Sequence, residues 1–334
     1  MTAADPFRRL TPVIRLAPAK LNLTLAVVGR RPDGFHDLHS VFVPLTLADR
    51  LSLAPAGGHA DSLHVDGFDP GPADDNVVFQ ALAATRQAVG GGWAGGPGPA
   101  PALAARLEKR IPVAAGLAGG SSDAAATIDG ALEVWGAELD AEARLRLAAQ
   151  LGSDVPFFGA GGPALVEGRG ELVAPLRGLR GSPGVLLVTP AVPVSTRDVF
   201  ESFAAIRGVG DGSVRMSSVH LAEELRSGLS AADLVARAGV LTVANDLLPA
   251  TAALLPELVT FRRALNRRLG RPLGLSGSGP TLWALYASEA EAAAAAASVR
   301  SALGEGSLSA PGGAEPFVAA TTIVTYPPAE EPTT

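Results

Sequence analysis

The chain has no cysteine, which excludes disulfides and thiolate zinc sites. Its five histidines form no His-Glu-x-x-His or similar ligand spacing, so no structural transition metal is expected. Aromatic residues make up only 5% of the chain, and any surface that stacks on a base must use individual rings, with Phe35 and Phe200 as candidates. Lys/Arg-rich runs are missing and the net charge is −6; together these argue against a nucleic-acid surface, whose affinity depends on neutralised phosphates. No apolar run is long enough to cross a bilayer, and residues 1–10 lack a signal-peptide core. A cytoplasmic protein acting on a small molecule is the expectation.

What is present is a chain of 334 residues, 47% hydrophobic, with mean hydropathy +0.27. That is enough for two domains and a substantial core. Val13 to Leu47 reads as antiparallel strands, with Leu21, Leu23, Leu25 and Val27 alternating against polar neighbours and Pro32-Asp33-Gly34 as a turn. Leu51–Leu53 is a further strand, Asn76 to Val89 a helix, and the Gly/Pro stretch 90–101 a mobile surface insertion. Helix Ala141–Leu151 stops at Gly152, after which short strands run through Phe157, Leu165 and Val173. A boundary near Gly178 divides the chain into domains 1–177 and 178–334. Strand Val185–Val188 opens the second half, followed by helices around 221–225, 231–238, 254–269 and 290–303, strands 281–286 and 317–326, and a frayed tail from Pro327. Strands and helices mix without regular βαβ alternation, which favours an α+β class.

The most informative segment is 111–129, a glycine-rich loop that enters an alanine-rich helix through Ser121 and Ser122. Upstream, Leu103, Ala105 and Leu107 alternate as a strand. Gly116, Gly119 and Gly120 let an anion approach the backbone, and a helix start supplies unpaired N–H groups with the positive end of its dipole. The spacing fits neither Gly-x-x-x-x-Gly-Lys-Ser/Thr nor Gly-x-Gly-x-x-Gly. A plain turn capped by Ser121 or Ser122 is the competing explanation; the number of glycines favours phosphate. Asp123, read as lying in the first turn, would repel that phosphate unless it points away or faces magnesium.

Phosphoryl transfer needs positioned phosphates, cations and a base for the acceptor proton. Lys20 and Asn22, two apart on a strand, share one face; a solvated edge lysine is the alternative for Lys20. Asp154, after the Gly152 stop, is a candidate base, and otherwise a turn or capping aspartate. His36 beside Phe35 and the glycine turn Ser276–Pro280 are weaker signals.

These segments together resemble the kinase superfamily of galactokinase, homoserine kinase, mevalonate kinase and phosphomevalonate kinase, the GHMP kinases. The resemblance implies an N-terminal α/β domain like ribosomal protein S5 and a ferredoxin-like C-terminal domain, with the active site in the cleft between them. Ala17-Pro-Ala-Lys-Leu-Asn22, Gly29–His36, Lys109–Ala125 and Gly152–Pro156 are most similar to the branch that phosphorylates diphosphocytidyl-methylerythritol, in the non-mevalonate route to isoprenoids. That implies Asp154 as base, Lys20 as the cation holding the acceptor hydroxyl, and Asn22 as a substrate contact. Phe35 and Phe200 would cover the two faces of cytosine, with His36 reading its edges and Thr196 lining the pocket. Asn76 and Lys109 would lie near adenine and ribose, and Pro112, Gly116, Leu117, Ala118, Gly119, Gly120, Ser121 and Ser122 would hold phosphates.

Phe35, Ala118 and Ser153 stand where that branch usually has tyrosine, glycine and alanine. The implied cofactors are ATP and Mg2+, with the magnesium ligands unassigned. The implied partner is a small substrate carrying cytidine diphosphate, with no nucleic acid or membrane, and the chain would be a monomer or weak homodimer. The alternatives are a kinase of the homoserine or mevalonate type and a catalytically silent nucleotide-binding regulator.

Overall fold

A computed structural model describes residues 12–72, 75–96, 98–210 and 212–325. In chain order the N-terminal strands are β1 (Val13–Asn22), β2 (Ala26–Arg30), β3 (His36–Pro55) and β4 (Ser62–Gly67). Helix α1 (Val77–Val89), β5 (Leu103–Lys109), α2 (Gly119–Trp135), α3 (Ala141–Leu151) and the four-residue α4 (Val155–Phe158) follow. Next come β6 (Ala164–Gly168), β7 (Leu172–Pro175), β8 (Gly184–Thr189), α5 (Thr196–Ile206), α6 (Ser213–Arg226), α7 (Ala231–Ala236) and α8 (Ala238–Leu241). The chain ends with α9 (Leu248–Leu254), α10 (Pro256–Leu269), β9 (Gly274–Leu275), β10 (Leu282–Tyr286), α11 (Glu289–Gly304) and β11 (Phe317–Thr322). The expected α+β class holds, and no helix among the described residues is long and apolar enough to cross a membrane.

Contacts divide the chain into two compact units. The first takes in the described residues up to Ala19, Ala48–Val113 and Ala118–Gly159. In it the end of β3 pairs antiparallel with β5, Leu51 opposite Leu107, and β5 pairs parallel with β4. Leu103, Ala105 and Leu107 point inward as their alternation predicts, and so does the next residue in that series, Lys109. Asp49, Leu51 and Leu53 form the matching buried row on β3. Helix α2 is buried along most of its length, which its small residues permit: a Cβ at Gly130 would come within 2.7 Å of Leu53.

The Gly/Pro stretch is more firmly held than its composition suggests. Trp135 Nε1 donates to the Pro101 carbonyl at 3.1 Å, Ala94 N donates to the Trp135 carbonyl at 3.1 Å, and Arg86 donates to the Ala100 carbonyl at 2.9 Å.

The second unit holds Lys20–Leu47, Ala114–Leu117 and the described residues from Ala160 onward. Here the start of β3 pairs with β2 and β6, and β6 pairs with β7, all antiparallel. A second, four-stranded antiparallel sheet has the order β11-β8-β10-β9. Its two inner strands, β8 and β10, are wholly buried and, apart from Thr189 and Tyr286, apolar, and α10 and α11 pack their buried faces into the same core.

Three sequence expectations change. Phe157 lies in α4, not a strand, because Pro156 sits in the first helical turn, where its missing N–H costs nothing. The helix expected over 254–269 begins at Pro256, and Leu255 separates it from α9 for the same reason. The segment 231–238 divides at Arg237 into α7 and α8. Strand β4 and helix α5 were not anticipated, and the tail from Pro327 lies outside the described residues.

Candidate functional site

In the first unit, α2 starts at Gly119, two residues before the serines. Its N-cap is Ala118, left-handed at φ +53°, and no side chain caps it. The first N–H groups of α2 therefore have no side-chain acceptor of the capping kind, and the competing explanation of a helix capped by Ser121 or Ser122 does not hold. The Ser122 hydroxyl is buried without a hydrogen-bond partner. At Gly120 an added Cβ would meet only a Val77 methyl, at 3.9 Å, so backbone is accessible there. At Gly119 a Cβ would come within 3.2 Å of Lys109 Nζ and 3.0 Å of Ile111. That glycine lets the helix start close down on the end of β5.

Asp123 now has a place. It lies one turn further into α2 than expected, buried, with Oδ2 accepting from Lys109 Nζ at 2.7 Å. The same ammonium pairs with Asp49, whose other oxygen accepts the backbone N–H of Ile111 at 2.8 Å and that of Arg110. One lysine thus bridges two buried carboxylates from β3 and α2. Burial works to lower the Lys109 pKa, but the charges of Asp123 and Asp49 outweigh it and the net shift is upward. For Asp123 burial prevails over the attraction of Lys109, and its carboxyl is raised to about 7. Lys109 sits beneath the helix start with its charge engaged by Asp49 and Asp123.

Asn76 is the N-cap of α1, its Oδ1 accepting from Val78 N at 2.9 Å. Asp154 is half-buried at the start of α4 and does not cap that helix with its side chain, which removes the capping explanation. Gly152 approaches the first turn of α2: a Cβ there would lie 3.9 Å from Ser121 Oγ.

The second unit brings the two β1 residues together. Lys20 Nζ donates to Asn22 Oδ1 at 2.6 Å and lies 4.6 Å from the centre of the Phe42 ring; both Lys20 and Asn22 are buried. The Lys20 N–H donates to the Leu117 carbonyl at 3.0 Å, which ties β1 to this part of the loop. Ser276 Oγ donates to the Gly116 carbonyl at 2.9 Å. Gly277, at φ +58°, passes so close that a Cβ would sit 3.4 Å from Asn22 Oδ1 and 3.6 Å from Lys20 Nζ. Asn245 Nδ2 holds that turn by donating to the carbonyls of Leu275 and Gly277. The Ser276–Pro280 turn therefore packs against Lys20 and Asn22, and Asn245, which was not anticipated, holds it there.

The proposed base-pocket residues are also in this unit. Arg31 grips Asp33 and Asp37, both at 3.1 Å, and Asp33 accepts the Phe35 N–H at 3.1 Å, so the turn holds its own shape. Phe35 is exposed, 5.4 Å from the Arg169 guanidinium. The ring stacked on Phe200 is that of His36, with centroids 5.1 Å apart and planes 20° from parallel. Burial, then the charge of Arg30, holds the His36 pKa below its ordinary value, and its Nε2 is buried without a partner. Thr196 Oγ1 and Ser278 Oγ are 3.0 Å apart.

Missed by sequence reasoning were Asp49, Asn245 and the meaning of one count. Of 27 basic residues only two, Lys20 and Lys109, are lysine, and both are buried. A chain that uses arginine everywhere else keeps lysine where a compact ammonium is enclosed.

Residues 76–162 match the family model of the GHMP kinases N-terminal domain, and residues 221–305 that of the C-terminal domain. Over 277 residues the chain is 38% identical to the 4-diphosphocytidyl-2-C-methyl-D-erythritol kinase of Pelotomaculum thermopropionicum, covering 82% of this chain and 89% of that one. Identity is also 38% to the kinase of the same name from Deinococcus radiodurans, over 86% of this chain and 90% of the relative. Among solved structures, a 4-(cytidine 5'-diphospho)-2C-methyl-D-erythritol kinase superposes with a TM-score of 0.68 at 31% identity, covering 93% of this chain and all of the other. Homoserine kinase from Cytophaga hutchinsonii shares the fold with a TM-score of 0.65 at 16% identity, over 95% of this chain and 96% of its own.

The buried carboxylates make a pH prediction. Asp123, raised from 3.8 to about 7, binds a proton in the fold that the unfolded chain releases near pH 4. Its contribution to stability is therefore full below about pH 4 and lost as pH rises through about 7. Asp123→Asn removes that dependence, so the variant's stability relative to the parent should rise between pH 5 and pH 8. Urea denaturation at the two values checks it; a parent–variant difference that stays constant would contradict the raised pKa.

Proposed function

The chain belongs to the GHMP kinase family, and from that premise we propose that it transfers the terminal phosphoryl group of ATP to the 2-hydroxyl of 4-diphosphocytidyl-2-C-methyl-D-erythritol. The products are the 2-phosphate and ADP, within the non-mevalonate route to isoprenoid precursors. The observation that carries this reading is the match of more than four-fifths of the chain to relatives bearing that substrate's name. Lys20 and Asp154 supply the charged groups such chemistry needs.

In this reading the start of α2 and the buried Ser122 hydroxyl hold the nucleotide's phosphates, a role for which uncapped N–H groups and an unpartnered donor are suited. ATP supplies the phosphoryl group and, with it, magnesium. The described residues contain no cluster of three or more His, Asp or Glu side chains able to hold a metal, so the ion's ligands would come chiefly from phosphate and water. Lys20 orients the acceptor hydroxyl, and Asp154 takes its proton as the new O–P bond forms and the bond to the leaving ADP oxygen breaks. Asn22 contacts the substrate. Phe35, Phe200, His36 and Thr196 form the cytidine pocket, and we place the boundary between the two domains near Gly178.

ADP release tests the substrate. Saturable turnover is expected with the cytidyl alcohol, and turnover only with homoserine or mevalonate would replace this reading by one of its relatives. Binding of ATP without transfer to any of these alcohols would instead indicate a silent regulator. Asp154→Asn should lower kcat by a factor on the order of 10² or more while leaving the fold intact; near-parental turnover would remove Asp154 from its role. Phe35→Ala should weaken the cytidyl substrate by roughly 1 to 3 kcal/mol and leave ATP affinity unchanged. A titration showing the reverse order would move Phe35 out of the base pocket.

A further inference from the structure

The amide of Asn22 is held in one orientation by a chain of hydrogen bonds whose direction can be worked out from its far end. The Thr24 carbonyl can only accept. Ser40 Oγ, fully buried, donates its one proton to that carbonyl. With the proton committed, Ser40 Oγ can only accept, and it does so from Asn22 Nδ2 at 3.1 Å. The amino group of Asn22 is thereby turned toward Ser40 and its carbonyl oxygen toward Lys20, 2.6 Å away. The origin of the chain is fixed in turn: Thr24 Oγ1 accepts from Val41 N at 3.0 Å and donates to Ser218 Oγ at 2.9 Å. An amide flipped the other way would bring two N–H groups against an ammonium.

We propose that Ser40 is a positioning residue for phosphoryl transfer, acting through the Asn22 amide to hold the Lys20 ammonium in place. The Ser40 hydroxyl bonds the Asn22 amide and the Thr24 carbonyl. The proposal rests on the reading of Lys20 as the cation that orients the acceptor hydroxyl.

The full-length chain, assayed with ATP and the cytidyl alcohol, tests it. Ser40→Ala should lower kcat about tenfold, the scale of one hydrogen bond to a charged group, with a smaller change in KM, and Ser40→Thr, which keeps the hydroxyl, should recover most of the loss. In an Asn22→Ala background Ser40→Ala should have no further effect, whereas a general loss of packing would appear equally in both backgrounds. If Ser40→Ala does not fold, Ser40→Cys fills the site with a much weaker donor and acceptor and carries the same expectation.

A second readout is independent of turnover. The side-chain nitrogen spectrum of 15N-lysine-labelled protein contains two signals, and Ser40→Ala should shift that of Lys20 while Lys109, in the other unit, stays as an internal reference. An unmoved Lys20 signal, or equal effects of Ser40→Ala with and without Asn22, overturns the proposal. Lys20→Ala separates it from the reading beneath: if that variant keeps parental turnover, the role of Lys20 fails, and if it is inactive while Ser40→Ala is not, only the role of Ser40 fails.

Discussion

One ammonium group, Lys109 Nζ, fixes both ends of the glycine-rich loop between β5 and α2. Taking charges out of water costs several kcal/mol for each ion unless partners and further hydrogen bonds offset it, and here the offset comes from elements that lie far apart in the chain. Asp49 on β3 meets the lysine and also accepts the N–H groups with which the chain leaves β5. Asp123 on α2 meets the same lysine where the chain re-enters regular structure. The entry and exit of the loop are therefore defined by one electrostatic cluster. Glycine at 119 is needed because that cluster lies directly beneath the backbone.

The second unit orders its part of the chain in another way. Its device is the polarity of neutral hydrogen bonds, in which a carbonyl that cannot donate determines the state of every group that follows. Ser276 and Asn245 apply the same logic to backbone, holding the turns at Gly116 and Gly277 through carbonyl oxygens. A charged cluster tolerates some misalignment because Coulomb attraction falls slowly with distance. A directional chain does not, and it suits the place where an amide must present one face only.

Much of this could be read from residue spacing. The alternation that marked Leu103, Ala105 and Leu107 as inward-facing continues to Lys109, and following it one residue further would have buried that lysine. Likewise Asp49 falls in step with Leu51 and Leu53. What spacing could not supply were partners distant in sequence: Asp49 for Lys109, Ser218 for Thr24, and Phe200 for the ring of His36. Short apolar segments also misled, since the four residues of α4 look the same as a strand until Pro156 is given its helical role. Helix α5 escaped because only Val199 and Phe203 are buried along it, too few to make a periodic stripe, although Ser195 caps it by accepting from Asp198 N.

The division of labour between the two basic side chains reaches beyond the site. Because both lysines are enclosed, the positive charge on the exterior is carried by guanidinium groups, which remain protonated at any pH a protein survives. Acylating and cross-linking reagents that seek side-chain amines therefore find none displayed on the native surface. A lysine that does react reports that the interior around β1 or β5 has opened, so ordinary amine chemistry becomes a probe of local unfolding at the two places where this chain keeps its ammonium groups.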